Sequence, residues 1–176
     1  MKLEKKAGRL LLKKNRTVAC AESLTGGLVS CRLTSVPGSS AYVHGGVVSY
    51  TPEIKQEVLG VPQDILRQYG AVSAETAKAM AENVRQLMQT DYGISMTGNA
   101  GPAASEGKSV GLVYTALADS KGVFVQEHRF TGSRSGVREQ AADAVLALLV
   151  AALKQDDGDE AQPEDETDTA ENDGQD

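Results

Sequence analysis

The sequence predicts an α/β fold, a three-layer α/β/α sandwich with a mixed sheet, and three observations carry that expectation. Short β-branched or apolar runs alternate with helical patterns, which favours parallel strands joined by crossovers. Two strand-like runs near the C-terminal end are separated only by Asp119-Ser120-Lys121-Gly122, which reads as an antiparallel hairpin and makes the sheet mixed. The length, 176 residues, suits one domain with a substantial core and is too short for two ordinary ones.

Residues 2–14 have a narrow apolar side (Leu3, Ala7, Leu10, Leu11) and a basic remainder, the pattern of an outer packing helix. Residues 17–21 form a short buried strand and residues 25–34 a helix, followed by the loop Pro37-Gly38-Ser39-Ser40. Residues 43–51 are β-branched but contain Gly45-Gly46, which signals a bulge or a close approach by another backbone or a ligand. Pro52 and Pro62 suit first helical turns and open short helices over 53–59 and 63–68. Ser73 is a good N-cap for a helix over 74–89, in which Ala77, Met80, Ala81, Val84, Leu87 and Met88 recur at helical spacing. Strands are expected over 92–96, 110–118 and 123–130. A final helix over 133–154 is apolar almost throughout 141–153, so it should pack on the sheet or on another subunit. A homo-oligomer is expected on that ground, a dimer being the simplest closed choice.

Charge is unevenly placed. Residues 156–176 hold 11 of the 24 acids, no Lys or Arg, and no large apolar side chain, so they are expected to form a disordered acidic tail beyond a domain of residues 1–155. Residues 1–16 carry seven bases against Glu4 alone, and the remainder is close to neutral. A basic helix and an acidic tail could bind nucleic acid and mask that binding, but a solvated helix face and a solubilising tail explain them more simply. Neither signal-peptide architecture nor a membrane-spanning stretch is evident, and Cys20 and Cys31 read as two buried thiols of a reducing compartment. A cytoplasmic protein is expected, without membrane or nucleic-acid partners.

The segment Ala21-Glu22-Ser23-Leu24-Thr25-Gly26-Gly27 lies where a strand should turn into a helix. Such a turn can set a serine beside helix N-terminal N–H groups, which lack intrahelical acceptors and favour an anion or oxyanion. Histidine is scarce. His44 and His128 stand without Cys or carboxylate partners at ligand spacing, which argues against a metal site and against a Ser-His-Asp triad, though His44 beside Gly45-Gly46 could be argued as a base. Without histidine a serine nucleophile needs another base, and a lysine with a lowered pKa can serve. Lys55, just past the glycine-bearing strand, is the candidate, with Tyr50 close by at the strand end; taken alone it reads more readily as a solvated helix lysine. Arg134 and Arg138 lie one helical turn apart and could clamp a phosphate or carboxylate, or form surface ion pairs. The loop Thr97-Gly98-Asn99-Ala100-Gly101-Pro102 offers a hydroxyl, backbone amides and two glycines, but matches neither common nucleotide-binding glycine pattern.

These segments occur in a familiar order. The segment around Ser23, then Pro37-Gly38-Ser39-Ser40, Gly45-Gly46-Val47-Val48-Ser49-Tyr50 with Lys55, Gly70-Ala71-Val72-Ser73, residues 97–102, Val110-Gly111, and Phe130-Thr131-Gly132-Ser133-Arg134 with Arg138, together resemble the CinA C-terminal domain family over about residues 5–153. The family includes nicotinamide-nucleotide amidohydrolases (NMN deamidases), which convert nicotinamide mononucleotide and water into nicotinate mononucleotide and ammonia. The resemblance implies a stand-alone prokaryotic enzyme of pyridine nucleotide recycling, without the N-terminal domain found in many members and without a metal or redox cofactor. It implies Ser23 as nucleophile, Lys55 as its base, and Tyr50 assisting proton transfer or orienting the lysine. Thr25, Gly26, Gly27, Gly46, Thr97, Gly98, Ala100 and Gly101 would surround the amide oxygen or the phosphate, with Arg134 and Arg138 as phosphate partners. Leu24 stands where the family usually has cysteine, and Asn99 where it has an apolar residue. The glycine-rich stretch after Pro102 is Ala103-Ala104-Ser105-Glu106-Gly107, less free to approach a ligand. That departure motivates two other readings, a non-catalytic nucleotide-binding or regulatory module on the same fold and an amidase of another small amide.

Overall fold

The computed structural model describes residues 1–156. In chain order the elements are α1 (Leu3–Lys13), β1 (Val18–Glu22), α2 (Leu28–Thr34), a 3-10 turn (Ser39–Ala41), β2 (Val43–Val48), α3 (Pro52–Glu57), α4 (Gln63–Tyr69), α5 (Ala74–Met88), β3 (Tyr92–Gly98), β4 (Leu112–Ala118), β5 (Val123–Arg129) and α6 (Arg134–Gln155). The sheet order is β2-β1-β3-β4-β5. β1 pairs parallel with both β2 and β3, whereas β3-β4 and β4-β5 are antiparallel, so the sheet is mixed.

Alternation of side chains along β1 and β3 divides the core between the two faces. Val18, Cys20, Tyr92, Ile94 and Met96 meet α1, α2 and α6, whose buried residues include Leu11, Leu33, Leu146 and Leu149. Ala19 and Ala21 face the other way, against Met80 and Val84 of α5. Small residues on that face let α5 come close: Ser95 Oγ donates to the Ala77 carbonyl at 2.6 Å, and a Cβ built on Gly93 would lie 2.6 Å from Arg85 Cβ. The apolar length of α6 is spent within the chain, since Val137, Ala141, Val145, Leu146, Leu149 and Leu153 are all buried in this core.

Several expectations need adjustment. The helix expected to start at residue 25 starts at Leu28, because Gly26 and Gly27 adopt left-handed backbone angles (φ 59° and 99°) that end the turn before it. The Gly45-Gly46 pair does mark a bulge: the register with β1 skips His44, moving from Val18↔Val43 to Ala19↔Gly45. Gly46 also takes the close backbone approach, since a Cβ there would lie 2.8 Å from the Cys20 carbonyl oxygen. Only Cys20 is buried; Cys31 lies on the outer side of α2 and is exposed, opposite Val29 and Leu33.

Asp156, placed in the tail by composition, belongs to the folded body. Its carboxylate accepts hydrogen bonds from Arg16 Nε and the Tyr92 hydroxyl, both at 3.0 Å, and Lys14 donates to its carbonyl. The rest of the expected tail, residues 157–176, lies outside the described residues. Among the described residues no helix is long and apolar enough to cross a membrane.

The closeness of α5 to the sheet yields a stability prediction. Gly93→Ala should force α5 off β3 and lower unfolding free energy by about 1–3 kcal/mol, as overpacking of a filled core does. Urea denaturation reads the change, and an unaltered midpoint would mean that α5 yields freely.

Candidate functional site

Three strand ends meet at one edge of the sheet. Because β1, β2 and β3 are parallel, the segments that follow them, Ser23-Leu24, Ser49-Tyr50 and Asn99-Ala100-Gly101, emerge side by side, where open α/β sheets form crevices. A cavity of about 330 Å³ opens there, lined in part by Ser23, Tyr50, Lys55, Thr97, Glu106 and Arg134.

Ser23 is fixed through its own backbone. Its N–H donates to the Met96 carbonyl of β3 at 3.1 Å, and its carbonyl accepts from Gly26 N at 3.0 Å, while Ser49 N–H donates to the Glu22 carbonyl at 2.8 Å. The ends of β1 and β2 are thereby locked together. Lys55 reaches the same point from α3, whose start is defined by Pro52 and by the Thr51 hydroxyl accepting from Ile54 N. Its ammonium donates to Ser23 Oγ at 3.0 Å and to the Ser49 carbonyl at 2.6 Å. Lys55 is only 1% exposed, and burial pulls its pKa down from 10.5 to about 8, against a smaller upward pull from Glu106. A buried amine of that basicity exchanges readily between charged and neutral forms near neutral pH.

The turn after Ser23 works differently from the expected anion cradle. The N–H groups at the start of α2 are already taken by the carboxylate of Glu22, itself 1% exposed: Gly27 N at 3.0 Å and Val29 N at 3.1 Å on one oxygen, Ser30 N at 2.8 Å and Ser30 Oγ at 2.7 Å on the other. Thr25, Gly26 and Gly27 therefore do not line the cavity. Gly46 is absent from its walls as well, being packed against β1 and Ser30.

The two arginines have separate jobs. Arg138 donates through Nε to the Leu24 carbonyl at 3.0 Å and through a terminal nitrogen to the Thr25 carbonyl at 2.9 Å, so it braces the serine turn and lies outside the cavity lining. Arg134 lines the cavity and bridges two of its walls, donating to the Gly101 carbonyl and to the Tyr50 hydroxyl, both at 2.7 Å. Tyr50 is 55% exposed at the rim, and its hydroxyl meets Arg134; the orienting partner of Lys55 is the Ser49 carbonyl. Thr97, Gly98, Ala100 and Gly101 all line the cavity, although the Thr97 hydroxyl donates to the Ala71 carbonyl at 2.7 Å. Neither histidine is near: His44 Nδ1 lies 3.2 Å from the Met88 carbonyl, and His128 Nε2 lies 2.9 Å from Thr115 Oγ1 while its ring stacks on Phe130.

Three participants escape sequence reasoning. Glu22 as the cap of α2 has a faint signal, a carboxylate five residues before a helix-opening glycine. The Ser49 carbonyl has none, being a backbone group. Glu106 is identifiable only once the fold brings it over residues 70–72.

A model of the CinA C-terminal domain matches residues 1–153 of this chain. A competence-damage inducible protein of Desulforamulus reducens is 49% identical over 147 residues, covering 84% of this chain and 36% of the relative. A CinA-like protein of Solibacter usitatus is 47% identical over 148 residues, again covering 36% of the relative. The chain thus spans about a third of the length of these curated relatives. Among solved structures, a CinA superfamily protein from Klebsiella pneumoniae superposes with a TM-score of 0.84 at 30% identity, covering 87% of this chain and 96% of the other. The competence/damage inducible protein CihA of Agrobacterium tumefaciens gives 0.80 at 36% identity, with the same coverages.

The buried amine has a measurable signature in stability. Below pH 8 the folded protein must keep a charged ammonium out of water, and between pH 8 and 10.5 the folded state has released a proton that the unfolded chain still binds, so stability rises across that window. Lys55→Met should therefore be more stable than the parent at pH 7 by up to about 3 kcal/mol. The advantage should shrink as pH approaches 10.5, as followed by urea unfolding at a series of pH values. An advantage independent of pH would exclude the ionisation as its source.

Proposed function

Because the chain belongs to the CinA C-terminal domain family, we propose that it hydrolyses the carboxamide of nicotinamide mononucleotide to nicotinate mononucleotide and ammonia by a Ser/Lys mechanism. The observation that carries this reading is the 3.0 Å contact between Lys55 Nζ and Ser23 Oγ at the cavity. In the neutral form Lys55 accepts the Ser23 proton as Oγ attacks the amide carbon, giving a tetrahedral oxyanion and an ammonium on Lys55. The ammonium returns that proton to the departing nitrogen, and ammonia leaves an ester on Ser23. Water then attacks the ester, one of its protons passing through Lys55 to Ser23 Oγ as the carboxylic acid is freed, which ionises to the carboxylate by giving its proton to solvent.

Oxyanion donors come from backbone rather than from α2. Leu24, Ala100 and Gly101 line the cavity, and among the described residues their N–H groups are not committed to other acceptors. Arg134, already at the cavity wall, is the cation best placed for a phosphate. Arg138 supports the reaction indirectly, by holding the two carbonyls of the serine turn.

Ammonia release from nicotinamide mononucleotide tests the assignment, with Ser23→Ala expected to abolish it; equal release by that variant would overturn the serine mechanism. The rate should rise as pH increases through about 8, because only the neutral amine can take the proton. Arg134→Ala should raise KM for the nucleotide about tenfold or more, the loss of one charge-assisted contact. The same substitution should change KM far less for nicotinamide riboside, which lacks the phosphate.

A further inference from the structure

Glu106 occupies a place that the fold goes out of its way to provide. It adopts a left-handed backbone (φ 56°), unusual for a residue with a side chain. Its carboxylate accepts from Ala71 N at 2.8 Å and Val72 N at 3.1 Å, and Lys108 Nζ lies 3.4 Å from one of its oxygens. Room for that carboxylate exists because residue 70 is glycine: a Cβ there would overlap Glu106 Oε2. Lys108 also donates to the Tyr69 and Val72 carbonyls, so both ends of the 69–72 segment are gripped from one loop.

The loop is secured at its base as well. Asn99 Nδ2 donates to the Ser105 carbonyl at 3.2 Å and the Lys108 carbonyl at 3.0 Å, and the Ser105 hydroxyl donates to Asn99 Oδ1. The residues that depart from the family pattern, Asn99 and the stretch before Lys108, thus replace glycine freedom with side-chain ties. This loop lines the same cavity as Ser23 and Lys55, and Glu106 is the carboxylate among the cavity's lining residues.

We propose that Glu106 is a positioning residue for the Ser23-Lys55 pair: its carboxylate fixes the outer wall of the cavity and supplies the negative charge that the Lys55 ammonium faces. The inference rests on the proposed Ser/Lys chemistry, in which that ammonium is formed at each proton transfer. Lys55 touches the neutral Ser23 hydroxyl and Ser49 carbonyl; the Tyr50 phenol and the cation of Arg134 line the same cavity, and Lys108 pairs with Glu106. Glu22 is turned toward α2 and fully engaged there. Burial outweighs the attraction of Glu106 at Lys55 but is opposed by it.

The test is a titration of the Lys55 side chain by NMR in the full chain labelled with 13C-lysine, its signal assigned by its loss in Lys55→Met. Glu106→Gln should lower the Lys55 midpoint by roughly half a pH unit, the scale of one charge acting across a partly solvated cavity. A loop that served only as a tether would loosen, admit water to Lys55 and raise the midpoint, so a rise or no change overturns the proposal. Lys108→Met, which leaves Glu106 charged and removes its neighbouring cation, should raise the midpoint; movement of both variants in the same direction also overturns it. The titration reads Lys55 whether or not nicotinamide mononucleotide is hydrolysed, so failure of this inference is separable from failure of the proposed function.

Discussion

The amine of Lys55 is withdrawn from water and held between two oxygens, the Ser49 carbonyl and Ser23 Oγ. An isolated buried ammonium would be costly, and two neutral acceptors only partly offset the lost hydration, which is why its pKa falls to about 8. Each of the two acceptors comes from the end of a different parallel strand. The contact therefore depends on the pairing of β1 with β2, and the bridge from Ser49 N–H to the Glu22 carbonyl continues that pairing past the end of the regular strands. A sheet slipped by one residue would send Ser23 to the other face and leave the amine with one partner.

Two charged residues stabilise the serine turn from opposite directions. Glu22 satisfies the N–H groups at the start of α2, while Arg138 satisfies the carbonyls of Leu24 and Thr25. The pair leaves little backbone freedom at Ser23, whose position is also tied to β3 through Met96. Since α6 carries both Arg138 and Arg134, its docking on the sheet through Val137, Ala141 and Val145 sets the serine turn and the Arg134 bridge together. Core packing and site geometry are in this respect the same structural fact.

Periodicity and turn chemistry were enough to read the element order, the mixed sheet and the bulge in β2, because those depend on local patterns and on which faces are apolar. Scarcity of histidine was enough to pair Ser23 with Lys55 as candidates. Burial of Lys55 was not legible: a lysine on a short surface-like helix looks the same in sequence whether its amine is solvated or enclosed. The internal engagement of Arg138 and of the Gly26-Gly27 turn was not legible for a related reason. A helix N-terminus looks available to a ligand until the last residue of the preceding strand is seen to bend back and occupy it, and an arginine near a site looks like a ligand clamp until its donors are counted against backbone carbonyls. Glu106 lies 35 residues from the Ala71 amide that it accepts from, so only the tertiary fold could connect them.

Occupation of the α2 terminus also constrains how a substrate can sit. A carboxylate buried next to the nucleophile turn repels negative charge developing on the same side, and the helix dipole that would have opposed it is already neutralised by Glu22. For the proposed reaction this favours a carbonyl oxygen directed away from α2, toward Ala100 and Gly101 beyond β3, cavity-lining residues whose N–H groups have no other acceptor among the described residues. The same loop that contributes Ala100 and Gly101 carries Asn99 and Glu106, and the hydrogen bonds of Asn99 to Ser105 and Lys108 tie these parts of it together.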